Sequence, residues 1–189
     1  MKTILIIIMK KDKKKYIKNF TRSFNNNANL IFKMWYDKRL LSFIKKNKID
    51  GIVLSGSNYR ILEDKKKIAT IPKKILKLNI PIIGICYGYQ WIIKMLCGNK
   101  CLDSFINNRN NSNKTLLKIT KPFKININYY NFNHHDYITV VPKNWKIIIQ
   151  HKKQIWMAYD KEKKILGLQF HPEATGIGKV FFKKWLKYI

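Results

Sequence analysis

Four short apolar runs, separated by stretches of helical periodicity, constrain this chain more than any other feature. Thr3 to Met9 is β-branched and uninterrupted, as a strand buried on both faces is. Leu30 to Met34, Ile49 to Leu54 and Ile80 to Ile85 read as further strands. Between them, Lys11 to Phe24 places Tyr16, Ile17, Phe20 and Phe24 on one face. Asp37 to Lys46 carries Leu40, Leu41 and Ile44 as its apolar stripe, with Asp37 as an N-cap. Lys67 to Leu78 reads as a helix opened at Pro72, and Tyr87 to Cys97 as a further helix. Strand alternating with helix predicts an α/β fold, a mostly parallel central sheet flanked by helices on both faces.

The second half has a different texture. Thr115 to Ile119, Ile125 to Tyr130, Tyr137 to Val141, Lys146 to Ile149, Ile155 to Tyr159 and Ile165 to Phe170 read as short strands with few helices between them. Gly178 to Tyr188 closes the pattern as an amphipathic helix. Phe181, Phe182, Trp185 and Leu186 lie on one side and Lys183, Lys184 and Lys187 on the other. The Asn-rich stretch 107–113 reads as an exposed loop, and Asn25 to Asn27 as a turn. With 189 residues and 46% apolar content the expectation is a single domain over 1–189 with a sizeable core.

The chain has 39 Lys+Arg against 10 Asp+Glu, a net charge of +29. Such a balance suits a nucleic-acid partner, but a simpler account exists. Lys, Ile and Asn, all with A/T-rich codons, supply 85 of the 189 residues, and only four of the basic residues are Arg. Readers of bases and phosphates favour Arg, and the lysines are spread over the whole chain. A solvated surface shaped by codon usage is therefore preferred, with nucleic acid the lesser alternative. The run Ile4 to Met9 is too short to cross a bilayer or to form a signal-peptide core. Cys86, Cys97 and Cys101 make no disulfide framework, and no metal or cofactor set is evident. The expectation is a cytoplasmic chain without membrane attachment.

Chemistry concentrates in Gly84-Ile85-Cys86-Tyr87-Gly88-Tyr89-Gln90, where an apolar strand runs into a helix through Gly-x-Cys-x-Gly. This is a nucleophile elbow with sulfur in place of oxygen. A sharp strand-to-helix turn exposes the apex side chain in a strained conformation. Small flanking residues let strand and helix approach. Helix N-terminal N–H groups then favour a thiolate, and the Tyr87 N–H is placed to bind an oxyanion. A thiol nucleophile needs a base, and the base an orienting group. Gly167-Leu168-Gln169-Phe170-His171-Pro172-Glu173 offers both at the end of a strand. One residue between them lets His171 and Glu173 point to the same side.

These segments resemble the class I, triad-type glutamine amidotransferases. Gly84 to Gln90 is similar to that family's nucleophile motif, Gly167 to Glu173 to its His/Glu motif, and Asp50 to Gly56 to its second oxyanion loop. Within the family the pattern is most similar to the amidotransferase chains and domains of GMP synthases. Asn133-His134-His135-Asp136 resembles their Ser-His-x-Asp segment, and the tail from Phe170 to Leu186 their final strand, loop and helix. The resemblance runs from about Ile49 to Lys187. It implies a flavodoxin-like fold and hydrolysis of glutamine through a cysteine thioester, with no cofactor. Cys86 would be nucleophile, His171 base and Glu173 its partner. Tyr87 and Ser57 would give backbone oxyanion donors, Gly56 and Gln90 would bind substrate, and His134 and Asp136 would face a partner. That partner would be a separate ATP-pyrophosphatase synthetase subunit receiving the ammonia.

Two departures stand out. Where the family has two glycines after Leu-Ser and then Pro, this chain has Gly56-Ser57-Asn58, and a positive φ at Ser57 would cost about 1–2 kcal/mol. The family's acidic, Gly-containing turn after the first strand is replaced by Met9-Lys10-Lys11. A stand-alone γ-glutamyl hydrolase, suggested by the paired histidines, and a non-enzymatic binding protein with a basic surface are the alternatives.

Overall fold

The computed structural model describes residues 1–10, 13–63, 69–105 and 132–189, and the backbone of two short strands at 117–119 and 125–127. The element order is β1 (Thr3–Ile8), α1 (Lys14–Phe24), β2 (Asn29–Met34), α2 (Leu40–Lys46), β3 (Gly51–Leu54), β4 (Ile82–Ile85) and α3 (Tyr87–Cys97). β5 (Leu102–Ser104), β6 (Leu117–Ile119), β7 (Ile125–Ile127) and β8 (Asp136–Ile138) follow. β9 (Lys146–His151), β10 (Gln154–Asp160), β11 (Ile165–Leu168) and α4 (Gly178–Tyr188) complete it.

Seven strands form the main sheet in the order β2-β1-β3-β4-β11-β10-β9. The five from β2 to β11 are parallel, and β10 and β9 add an antiparallel edge. Period-two alternation along each central strand divides the core. Ile4, Ile6 and Ile8 pack with Phe20 and Phe24 of α1 and Phe181, Phe182 and Trp185 of α4. Leu5 and Ile7 pack on the other face with Leu40 and Ile44 of α2 and Tyr89, Ile92 and Ile93 of α3. Helices thus cover both faces, as strands that are apolar on both sides require. Burying Phe24 against Phe182, rings 4.4 Å apart and stacked, joins the first helix to the last.

Several elements differ from the sequence expectation. Of the helix expected over 67–78, the described part is a 3₁₀ turn at Lys73–Lys77. Pro72 precedes it with extended ψ, so no α-helical turn passes through the proline. Asp37 does not cap α2, which begins at Leu40. Its carboxylate accepts the Arg39 N–H at 2.9 Å in a local turn before the helix. β8 starts at Asp136, not Tyr137, and ends at Ile138, pairing antiparallel with β5, a strand absent from the sequence reading. The Asn-rich stretch 107–113 and the strand residues 115, 116 and 128–130 lie outside the described residues. Asn25 and Asn26 do form a turn, both at positive φ.

Candidate active site

Four parallel strands deliver their following loops to one edge of the sheet. These are Met9 and Lys10 after β1, Ser55 to Ser57 after β3, Cys86 after β4, and Gln169 to Glu173 after β11. Open α/β sheets hold their sites at that carboxyl edge.

Cys86 occupies the turn between β4 and α3 at φ 50°, ψ −105°, and is 3% exposed. A non-glycine residue there stores about 1–3 kcal/mol of backbone strain. Surrounding contacts hold the turn. The Cys86 N–H donates to Leu168 O at 2.6 Å, and the Gln90 N–H donates to Cys86 O at 3.0 Å. Helix and strand meet closely at Gly88, where a Cβ would lie 2.4 Å from Leu54 O. Gln169 Nε2 lies 3.6 Å from the sulfur, and Asn133 O lies 3.9 Å from it. The strain anticipated at Ser57 is not there. Ser57 has no positive φ, and the strained residue at this edge is Cys86.

His171 leaves β11 through Phe170, and Pro172 opens a 3₁₀ turn that brings Glu173 back beside it. Imidazole Nδ1 lies 2.8 Å from Glu173 Oε1, with side-chain exposures of 12% and 2%. Burial alone pulls the imidazole pKa down. The Glu173 carboxylate, the Cys86 sulfur and hydrogen bonds to both outweigh it, and the pKa stands well above the ordinary histidine value. Thiol, imidazole and carboxylate, drawn from two distant segments of the chain, are therefore in electrostatic contact. Gly56 lets this happen: a Cβ on it would stand 2.6 Å from His171 Cε1.

Ser57 and Tyr87 both border the cleft that contains Cys86. Serine hydroxyls set the β3 loop. Ser55 Oγ accepts the Met9 N–H at 2.9 Å and donates to Gly56 O, and Ser57 Oγ donates to Met9 O at 2.6 Å. The Tyr87 phenol donates to Ala69 O at 3.0 Å. Gln90, expected at the substrate, is 3% exposed, and its amide donates to Asp136 O and lies 3.4 Å from Gln169 Oε1.

His134 and Asp136, expected to face a partner, are 4% and 2% exposed and line the same cleft. His134 Nδ1 lies 3.1 Å from Asp136 O, and burial first, then the charges of His171 and His135, hold its pKa down at about 4 against that bond. The Asp136 carboxylate accepts from Ser104 Oγ at 2.6 Å, Arg60 Nη2 at 3.2 Å and the Leu62 N–H at 3.2 Å. Arg60 also pairs with Glu63 at 3.1 Å. A buried charge needs this degree of satisfaction.

Sequence reasoning put Tyr16 in the core face of α1. It does pack against the core there, and its phenol also reaches the site, 3.5 Å from where a Gly56 Cβ would lie, where burial with the charges of Glu173 and Cys86 holds it protonated. The helical period gives its side but not its reach. Arg60 and Ser104 carried no local signal either. Cys97 and Cys101 lie away from the site, with Cys101 Sγ 3.9 Å from Cys97 O, and burial raises the Cys97 thiol to about 11. Among the described residues no three His, Cys, Asp or Glu gather as metal ligands, and no helix is long and apolar enough to cross a membrane.

A strained cysteine at a strand–helix elbow beside a paired His and Glu defines a class, and the chain belongs to the class-I glutamine amidotransferase family. The family model, glutamine amidotransferase class-I, matches residues 11–183, a span that begins well before the expected Ile49. The chain is 34% identical over 167 residues to the glutamine-hydrolyzing GMP synthase of Wigglesworthia glossinidia brevipalpis, covering 78% of this chain and 30% of that protein. It is 37% identical over 144 residues to the enzyme of the same name from Borreliella burgdorferi, strain B31, covering 71% and 26%. The chain thus spans less than a third of the length of these relatives. The crystal structure of a GMP synthase subunit from Thermoplasma acidophilum shares the fold. Its TM-score is 0.76 at 21% identity, over 99% of this chain and 93% of that one.

Proposed function

We propose that this chain hydrolyses glutamine as the ammonia-producing component of a GMP synthase-like pair. The observation that carries the reading is the 2.8 Å His171–Glu173 contact, beside a Cys86 whose sulfur acts electrostatically on the same imidazole. Cys86 is the nucleophile, and His171 takes the thiol proton as sulfur adds to the side-chain amide carbon. The resulting oxyanion is met by the backbone N–H groups of Tyr87 and Ser57. His171 returns the proton to nitrogen, the C–N bond breaks and ammonia leaves. Water then attacks the glutamyl thioester with His171 as base, releasing glutamate and the thiol. Glu173 fixes the ring and balances its charge. None of these steps calls on a metal or an organic cofactor.

Gly56 shapes the substrate edge by giving the imidazole room, and Gln90 acts through the Asp136 carbonyl it holds. His134 and Asp136 brace the loop over the cleft from the side where a synthetase would approach. The partner is a separate ATP-pyrophosphatase chain in the cytoplasm, and residues 1–189 act as one amidotransferase domain. Glutamate release by the purified chain, alone and with the ATP-pyrophosphatase chain of a split GMP synthase, tests this directly. Release by the wild type and none by Cys86→Ala is expected. No release by folded wild type in either mixture would contradict it.

A further inference from the structure

Two cavities meet at the site. The first contains Cys86 and Tyr87 and has a volume of only about 20 Å³. The second contains His171 and Glu173 and has about 140 Å³. Ser57, Asn58 and Asn133 border both. In the proposed chemistry His171 protonates the departing nitrogen, so whatever is attached to that nitrogen extends into the second cavity. Ammonia has nothing attached and leaves most of this space unused.

The lining of the second cavity is rich in donors. Lys10, Lys15 and Asn19, whose side chains end in ammonium groups and an amide, are among its lining residues. Tyr16 contributes a phenol that burial and the neighbouring charges of Glu173 and Cys86 keep protonated. Lys10 is held in place with its Nζ 5.7 Å above the Tyr16 ring. Among the described residues of the lining the one acid, Glu173, is turned to His171 through Oε1. Cations and neutral donors around a polar cavity match a carboxylate. Lys10 and Lys15 thus bear on the leaving-group side of the reaction, which composition alone could not indicate.

We infer that the cavity bordered by Lys10, Lys15, Tyr16 and His171 is a leaving-group subsite for γ-glutamyl amides whose amine part carries a carboxylate. This inference rests on the proposed thioester chemistry. The step keeps the same balance: the Cys86 S–C bond forms, the C–N bond of the γ-glutamyl amide breaks, and His171 delivers the proton to nitrogen. An amino acid leaves in place of ammonia. Water then cleaves the thioester to glutamate, and no oxidant or co-reactant is required.

The test uses the full chain and three substrates: glutamine, γ-glutamylglycine and γ-glutamylglycinamide. The two dipeptides differ only in the charge at the leaving group. At low ionic strength kcat/KM for γ-glutamylglycine should exceed that for γ-glutamylglycinamide by about tenfold, and the ratio should shrink as salt is raised. Lys10→Met and Lys15→Met together should bring the ratio towards one, and Lys15→Glu should invert it. Because the ratio is taken within one preparation, a partly unfolded variant still reports. A ratio at or below one in the wild type, or one unmoved by the lysine changes, would overturn the subsite while glutamine hydrolysis stands. Failure to cleave glutamine and both dipeptides would remove the thioester chemistry and the subsite together.

Discussion

His171 Nδ1 lies 2.8 Å from Glu173 Oε1, with only Pro172 between the two residues in the chain. The contact decides which ring nitrogen bears a hydrogen and leaves the other for Cys86. Glu173→Gln keeps the shape and removes the charge. Glutamine turnover should fall by about 10²–10⁴-fold, and the His171 pKa, read by NMR titration, should drop. The sign of the stability effect follows. The folded-state pKa of His171 lies above its ordinary value of 6.5, so the stabilisation is complete below that value and is lost as pH rises through the folded pKa. Glu173→Gln should flatten this alkaline loss.

Gly56→Ala tests how His171 is positioned. The added methyl would stand 2.6 Å from Cε1, so the ring must move. A shift of an ångström in a reacting group costs about 10²-fold in rate, while crowding a packed interior costs about 1–3 kcal/mol. Activity should therefore collapse in a variant that remains folded at 25 °C, as checked by glutamate release and by urea unfolding.

Local pattern and non-local contact explain what the sequence disclosed. α3 and α4 were legible to the residue. The first has a strand–elbow–helix signature ahead of Tyr87 and Gly98 behind Cys97, and the second has a clean apolar stripe. β1, β3 and β4 were legible because strands buried on both faces are apolar throughout. β5 was not, since three residues, Leu102 to Ser104, acquire their meaning only by pairing with Asp136 to Ile138 more than thirty positions later. The burial of His134 and Asp136 has the same origin. Arg60, Ser104 and Gln90 reach Asp136 from three separate segments, and no spacing announces such a network.

His134 should make the protein sensitive to acid. Its pKa in the fold is about 4, against 6.5 for the free group. Between those values the unfolded chain binds the proton more tightly, so stability falls as pH falls through this window and levels off below it. The group's contribution is about 3 kcal/mol. Urea unfolding at pH 7 and pH 4.5 should show a large loss for the wild type and a smaller one for His134→Asn, which retains a side-chain donor for Asp136 O.

Strain at Cys86 makes a prediction that runs against side-chain loss. Alanine keeps the Cβ that φ 50° disfavours, whereas glycine tolerates that conformation. Cys86→Gly should thus be more stable than Cys86→Ala by about 1 kcal/mol, the order opposite to helix-propensity expectation. Thermal unfolding of the two inactive variants measures it.

The central claim is that Cys86 is a live nucleophile in a glutamine site. Mass spectrometry after exposure to a glutamine-mimicking electrophile tests it most directly. One adduct is expected, on Cys86, with Cys97 and Cys101 unmodified, competed by glutamine and abolished in His171→Ala. Folded protein that acquires no adduct, or acquires it on Cys97 or Cys101 with Cys86 intact, would contradict the account.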